Sequence, residues 1–146
     1  MKRKLVVLWS ALLAVTLVFA QETQKPITFE TVEALRQEAR RIYPTGFVDL
    51  APWKKALEAA QALASQNPND PRALRLLAEL YTETQWAIRA WEAWMNYREK
   101  GGTWDEAARS AAAKVARTLA FYANQRKDKA EAERWVAQAE AVESGR

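Results

Sequence analysis

The carboxylates best placed to do chemistry are Glu79 and Glu83, four residues apart and hence one turn apart on a helix, the spacing of an acid and base pair. Arg72 and Arg75 lie beside them, and the same pattern describes a solvated helix face laced with ion pairs. The 146 residues contain no histidine, so no imidazole is available for a triad, a metal site or a switch near neutral pH. They contain no cysteine either, which excludes disulfides, thiolate metal ligands and a lipoprotein anchor. Gly101-Gly102 is the one glycine pair, and it lacks the strand that precedes a phosphate-binding loop. No catalytic centre, metal or cofactor is expected.

The elements that carry these residues read as helices. Phe29, Val32, Leu35, Ala39 and Ile42 form one apolar face from Phe29 to Ile42, with Thr28 as its N-cap and Pro44-Thr45-Gly46 as its stop. A second helix runs from about Pro52 to Ser65, with Trp53, Ala56, Ala60 and Leu63 inward. Asp70 and Pro71 start a third, which continues to about Glu83. Thr84 is the expected cap of a fourth, closed by Gly101-Gly102. Thr103 with Glu106 makes a capping box for a fifth, and Asp128 with Glu131 makes another for a sixth that ends after Val142.

These helices echo one another. Ala56, Ala60, Leu63 and Pro68 precede Ala90, Trp94, Tyr97 and Gly102 by 34 positions. Leu74, Leu77, Ala78 and Tyr81 precede Ala108, Ala111, Ala112 and Val115 by the same interval. With Leu74, Leu77-Ala78, Tyr81, Ala90 and Trp94 in place, the segment resembles the tetratricopeptide repeat (TPR). The resemblance covers about residues 53–124 and is best from Pro71 to Gly102. It implies an all-α, short right-handed solenoid of about three antiparallel helical hairpins. It also implies a groove lined by the first helix of each hairpin, here Arg72, Arg75, Glu79 and Thr82, then Glu106, Arg109, Ala113 and Arg117. Four arginines against two glutamates would suit an acidic polypeptide segment; the competing reading is that they only solubilise an alanine-rich surface. The register breaks once. The third unit's small residue falls on Asn124, and the pattern resumes eight residues late at Ala132, Val136 and Ala139, which predicts one extra turn on each of the last two helices.

Seven tryptophans add apolar surface. Trp86, Ala90, Trp94 and Tyr97 follow core spacing, and Trp53 and Trp135 are expected to pack between helices. Trp91 lies about 140° around the helix from Trp86. With Ala87 and Met95 it forms a second strip, either sandwiched between helices or presented as a second apolar contact. Trp104 reads as a lid on the last hairpin, the alternative being a stacking platform for a sugar together with the Tyr43–Phe47 loop.

The N-terminus reads as an address. Lys2-Arg3-Lys4 precedes an apolar run from Leu5 to Phe19, and Val18-Phe19-Ala20 suits a signal peptidase, so residues 1–20 are expected to be a signal peptide. An uncleaved membrane anchor is the alternative, against which stands a run shorter than the roughly 20 residues of a span. Residues 21–27 then form a flexible leader and 28–144 the helical domain. Removing the first twenty residues leaves 19 basic against 18 acidic side chains, so neither nucleic acid nor an anionic membrane is an expected partner. The expectation is a periplasmic or secreted adaptor that binds a protein or peptide through Arg72, Arg75, Glu79, Arg109 and Arg117, with Trp91 and Met95 as a second contact. The alternatives are a self-associating structural protein of the envelope, and a carbohydrate or small-ligand binder.

Overall fold

The computed structural model describes residues 26–146, so the expected signal peptide and most of the leader lie outside the described residues. Six α-helices and no strand are present among them: α1 (Phe29–Ile42), α2 (Ala51–Gln66), α3 (Pro71–Glu83), α4 (Ala87–Glu99), α5 (Glu106–Gln125) and α6 (Lys129–Glu143). The chain is all-α over this range. Each helix packs on its neighbours in sequence, and α3 also touches α5. No described helix is long and apolar enough to cross a membrane.

Helix starts follow side-chain chemistry. Thr28, Asp70, Asp105 and Asp128 accept hydrogen bonds from the first-turn amides of Thr31, Arg72, Ala108 and Glu131. The expected box at Thr103 is therefore displaced, because Asp105 is the residue that caps. At α6 only half of the expected box forms. Asp128 caps, while the Glu131 carboxylate takes Arg126 and the Trp135 indole N–H instead. The last residue of the expected leader is already docked: Ile27 packs on the core and donates its N–H to Gln66.

Helix ends share one device. Gln85, Gly101, Lys127 and Gly145 all have positive φ. In each case the next residue's N–H reaches the carbonyl five positions back: Trp86 to Tyr81, Gly102 to Tyr97, Asp128 to Ala123 and Arg146 to Ala141. This is the double-bonded left-handed stop of a helix, normally given to glycine. Two of the four use a residue with a Cβ. That explains why Thr84 does not start α4. It is the C-cap of α3, buried, with its hydroxyl on the Leu80 carbonyl, and Gln85 then turns the chain.

The core is assembled from small residues around a few large ones. Ala39, Ala56, Ala60, Ala73, Ala78, Ala90, Ala108, Ala112 and Ala116 are fully buried, which lets helices approach closely. Trp53, Leu63, Leu80 and Trp94 fill the space left. Trp94 donates its indole N–H to Thr82, and Trp53 donates to the Tyr43 carbonyl. Three expected core residues are not in it. Trp86, at the N-cap of α4, is 38% exposed, Val136 is 45% exposed and Ile42 is 42% exposed.

The eight-residue register shift resolves into helix length. α3 and α4 have 13 residues each, α5 has 20 and α6 has 15. The extra turns thus fall almost wholly on α5 and are not shared between two helices. Lys127, exposed at φ 63, holds the strained stop that follows. Lys127→Gly is expected to raise stability by about 1 kcal/mol, read as a higher denaturation midpoint with unchanged slope.

Candidate functional site

The surface shared by α1, α3 and α5 is crossed by a chain of guanidinium and carboxylate groups. Arg36 on α1 is only 9% exposed and sits within the apolar stripe of that helix. Its Nη1 donates to Glu33 and Glu79 at 3.0 Å each, and its Nε and Nη2 both donate to Glu83. Arg40 takes the second oxygen of Glu83 at 2.9 Å. Arg75 continues the chain: Nε donates to Glu79 at 3.1 Å, and Nη1 and Nη2 grip Asp105 at 2.8 and 3.4 Å. Arg75 Nη1 also reaches the Tyr97 hydroxyl, which donates onward to the Thr103 carbonyl.

The electrostatics follow this geometry. Burial pulls the Arg36 guanidinium downward, but its bonds and charge contacts with Glu83, Glu79 and Glu33 outweigh that and leave it raised. Arg75 is raised chiefly by its bond to Asp105, and against its burial by the Tyr97 and Glu79 bonds. Asp105 is held below the ordinary aspartate range, first by Arg75 and then by the Ala108 N–H. The Glu79 and Glu83 pair thus lies inside a salt-bridge network, with guanidinium groups on both carboxylates.

The expected groove residues go to several places. Arg72 pairs with its own cap, Asp70, at 3.0 Å and lies over the Phe29 ring. Arg75 and Glu79 are in the network. Arg117 spans to Glu143 on α6 at 2.7 Å, and Ala113 is fully buried. Arg109, half-buried, forms no ion pair among the described residues. Trp91 packs edge to face on Trp135 of α6, ring centroids 5.4 Å apart, and Met95 packs against the core. That strip is half-buried between helices.

A cleft of about 490 Å³ opens beside the network, and sequence reasoning did not find it. Its position follows from register. Arg75 meets Asp105 at the start of α5, and Tyr81 to Glu83 share the cleft with Lys114 to Tyr122, so α3 and α5 run in the same direction. From Lys114 onward α5 continues past the end of α3 (its extra turns), and Thr118 and Tyr122 on that extension form one wall. The connection between α1 and α2, Pro44-Thr45-Gly46, forms the other. Ala87, Ala90 and Val115 line the floor, with Gln85 at the corner.

Gly46 fixes the second wall. A Cβ there would stand 2.4 Å from the Glu83 carbonyl oxygen and 3.0 Å from the Trp53 ring, so only glycine lets the connection lie against α3. Gln85 donates to the Gly46 carbonyl at 3.0 Å and ties the connection to the α3 stop. Tyr122 on one wall is exposed, and exposed apolar groups adjoin both walls in sequence: Ile42, Tyr43 and Phe47 next to one, Phe121 next to the other. Among the described residues Lys114 has no ion-pair partner, while Glu83 is covered by two arginines. No group of three or more potential metal ligands occurs among the described residues.

Comparison of the chain with family models, with curated proteins and with solved structures finds no match in any of the three. The tetratricopeptide resemblance therefore rests on the 34-residue pattern alone.

Two outcomes test the network. Arg36→Met should cost about 2 kcal/mol in chemical denaturation, because it leaves Glu79 and Glu83 facing each other; their 30% and 23% exposure keeps the loss below that of a fully buried pair. Asp105 has a depressed folded pKa, so its contribution is complete above its unfolded value, about 4, and is lost as pH falls through the lower folded value. Asp105→Asn keeps a good cap but loses the charge. It should melt below the wild type at pH 7, and the difference should shrink as pH falls below about 4.

Proposed function

We propose that this chain is an exported protein–protein adaptor, a short TPR-like right-handed solenoid of three helical hairpins, and that the cleft over the end of α3 seats a segment of its partner. The observation that carries this reading is the distribution of exposed apolar groups. Eight large apolar side chains are exposed among the described residues; Tyr122 lines the cleft, and Ile42, Tyr43, Phe47 and Phe121 are within two residues in sequence of its lining residues. Exposed apolar side chains gathered near a concave site are a usual mark of a docking surface.

The pattern supports the solenoid as well. The 34-residue echo, the packing of each helix on its sequence neighbours and the common direction of α3 and α5 all suit stacked helix pairs. Within that scaffold, the partner's apolar side chains would enter between Tyr122 and the Pro44–Gly46 connection. An acidic partner is now favoured chiefly by Lys114, since Arg72, Arg75 and Arg117 are engaged with carboxylates of this chain. The place in the envelope follows from the expected signal segment and from nothing in the described helices.

Filling the cleft tests the proposal. Thr118→Trp and Tyr122→Ala, compared with the remote Glu133→Ala, should each reduce recovery of crosslinked partners from envelope extract by about tenfold, a loss of about 1.4 kcal/mol. Light scattering separates a foreign partner from a second copy of the chain. Equal recovery by all three variants, each shown to be folded, would remove the cleft from the account.

A further inference from the structure

A second groove lies on another part of the molecule, between α2, α3 and α4, with a volume of about 440 Å³. Its distinctive residue is Trp86. This position is the N-cap of α4, where Ser, Thr, Asp or Asn would satisfy first-turn amides, yet the indole makes no capping bond. The residue before it, Gln85, takes a left-handed conformation without being glycine. Two adjacent departures from local preference place a large aromatic ring 38% exposed at the edge of a groove.

The surroundings of that ring have a particular chemistry. Tyr81 meets it edge to face at 5.8 Å, and Arg89 lies over one face of the ring with the guanidinium carbon 5.8 Å from its centre, so the two together hold its tilt. Gln61 donates to the Tyr81 hydroxyl at 2.8 Å, and its amide oxygen accepts no hydrogen bond from another side chain among the described residues, so it is available as an acceptor. Ser65 and Asn96 line the same groove, and their side chains bond to nothing among the described residues. The one charged group, Arg89, is balanced by Glu92 at 3.1 Å. An indole face beside planar amides and a hydroxyl, with no net charge, matches a ring that is apolar on its C–H face and polar around its rim.

We propose that this groove binds a neutral oligosaccharide, with one pyranose ring stacked on the indole face of Trp86 that Arg89 leaves open. Hydroxyls of the following sugar units are hydrogen-bonded by Gln61, Ser65 and Asn96, the last about 15 Å further along α4. The neutral balance around Arg89 argues against an anionic ligand. The site is distinct from the partner cleft, which is built from the α1–α2 connection, α3, the start of α4 and α5; Tyr81 is the one lining residue they share. The adaptor reading can fail while this one stands, and the reverse.

The test is an NMR titration of the full chain with cellotetraose, maltotetraose and the β-1,4-linked tetramer of N-acetylglucosamine, each into the millimolar range. The Trp86 indole N–H signal is assigned as the one lost in Trp86→Phe. At least one sugar should shift that signal saturably. Trp86→Ala should weaken binding about tenfold and Asn96→Ala about threefold, with melting temperatures close to wild type because both side chains are exposed. The proposal is overturned if no sugar moves the Trp86 signal, or if the shifts seen at other residues persist unchanged in Trp86→Ala. It is equally overturned if a proline hexapeptide moves the signal and the sugars do not, which would make the groove a peptide contact.

Discussion

The Arg36 guanidinium is the constraint on which the arrangement of helices depends. Its side chain is almost fully enclosed, and an enclosed positive charge is tolerable only with several carboxylates in place. Those carboxylates come from α1 itself and from two successive turns of α3, 43 and 47 residues further along the chain. Satisfying Arg36 therefore fixes both the distance and the register of α1 against α3. Arg75 passes the same constraint to α5 through Asp105, which also serves as the cap of that helix. One connected set of charges thus sets three helices relative to one another, while the alanine-lined interfaces supply close packing with little shape of their own.

Consequences for the surface follow. Because the arginines and carboxylates between α1, α3 and α5 neutralise one another, this surface offers a partner little free charge. What remains for recognition lies where the network stops. At the end of α3, Glu83 is the last carboxylate, Gly46 lies directly on its carbonyl, and α5 runs on alone for its additional turns. The cleft is the space between a connection held down by the absence of a Cβ and a helix longer than its neighbours. In this account a scaffold of charge and alanine positions an apolar seat, and the lengthening of α5 gives that seat its second wall.

Much of the fold was legible in the sequence because its signals are local. The apolar stripes, the capping residues and Gly101-Gly102 set all six helix starts to within about two residues, though the capping residues of α4 and α5 are others than expected. The failures have physical reasons. Gln85 makes the turn that a glycine would have announced, so the cap of α4 and the exposure of Trp86 were misread. The eight-residue shift was visible, but its assignment to α5 depends on where Lys127 turns the chain, again without glycine. Arg36 was missed because an arginine in an apolar stripe looks like an interruption of the core; its partners become apparent only when α3 is folded against α1. The cleft was invisible for the same reason. Its walls come from residues 44–46, 81–90 and 114–122, and no periodicity links them.

Hydrogen exchange of the chain alone and with its recovered partner tests the central claim most directly. The account expects new protection in residues 44–47, 82–85 and 114–122, segments that wall the cleft, with α6 and α2 little changed. Protection confined to α6 or to α2, with the cleft segments exchanging as in the free protein, would contradict it.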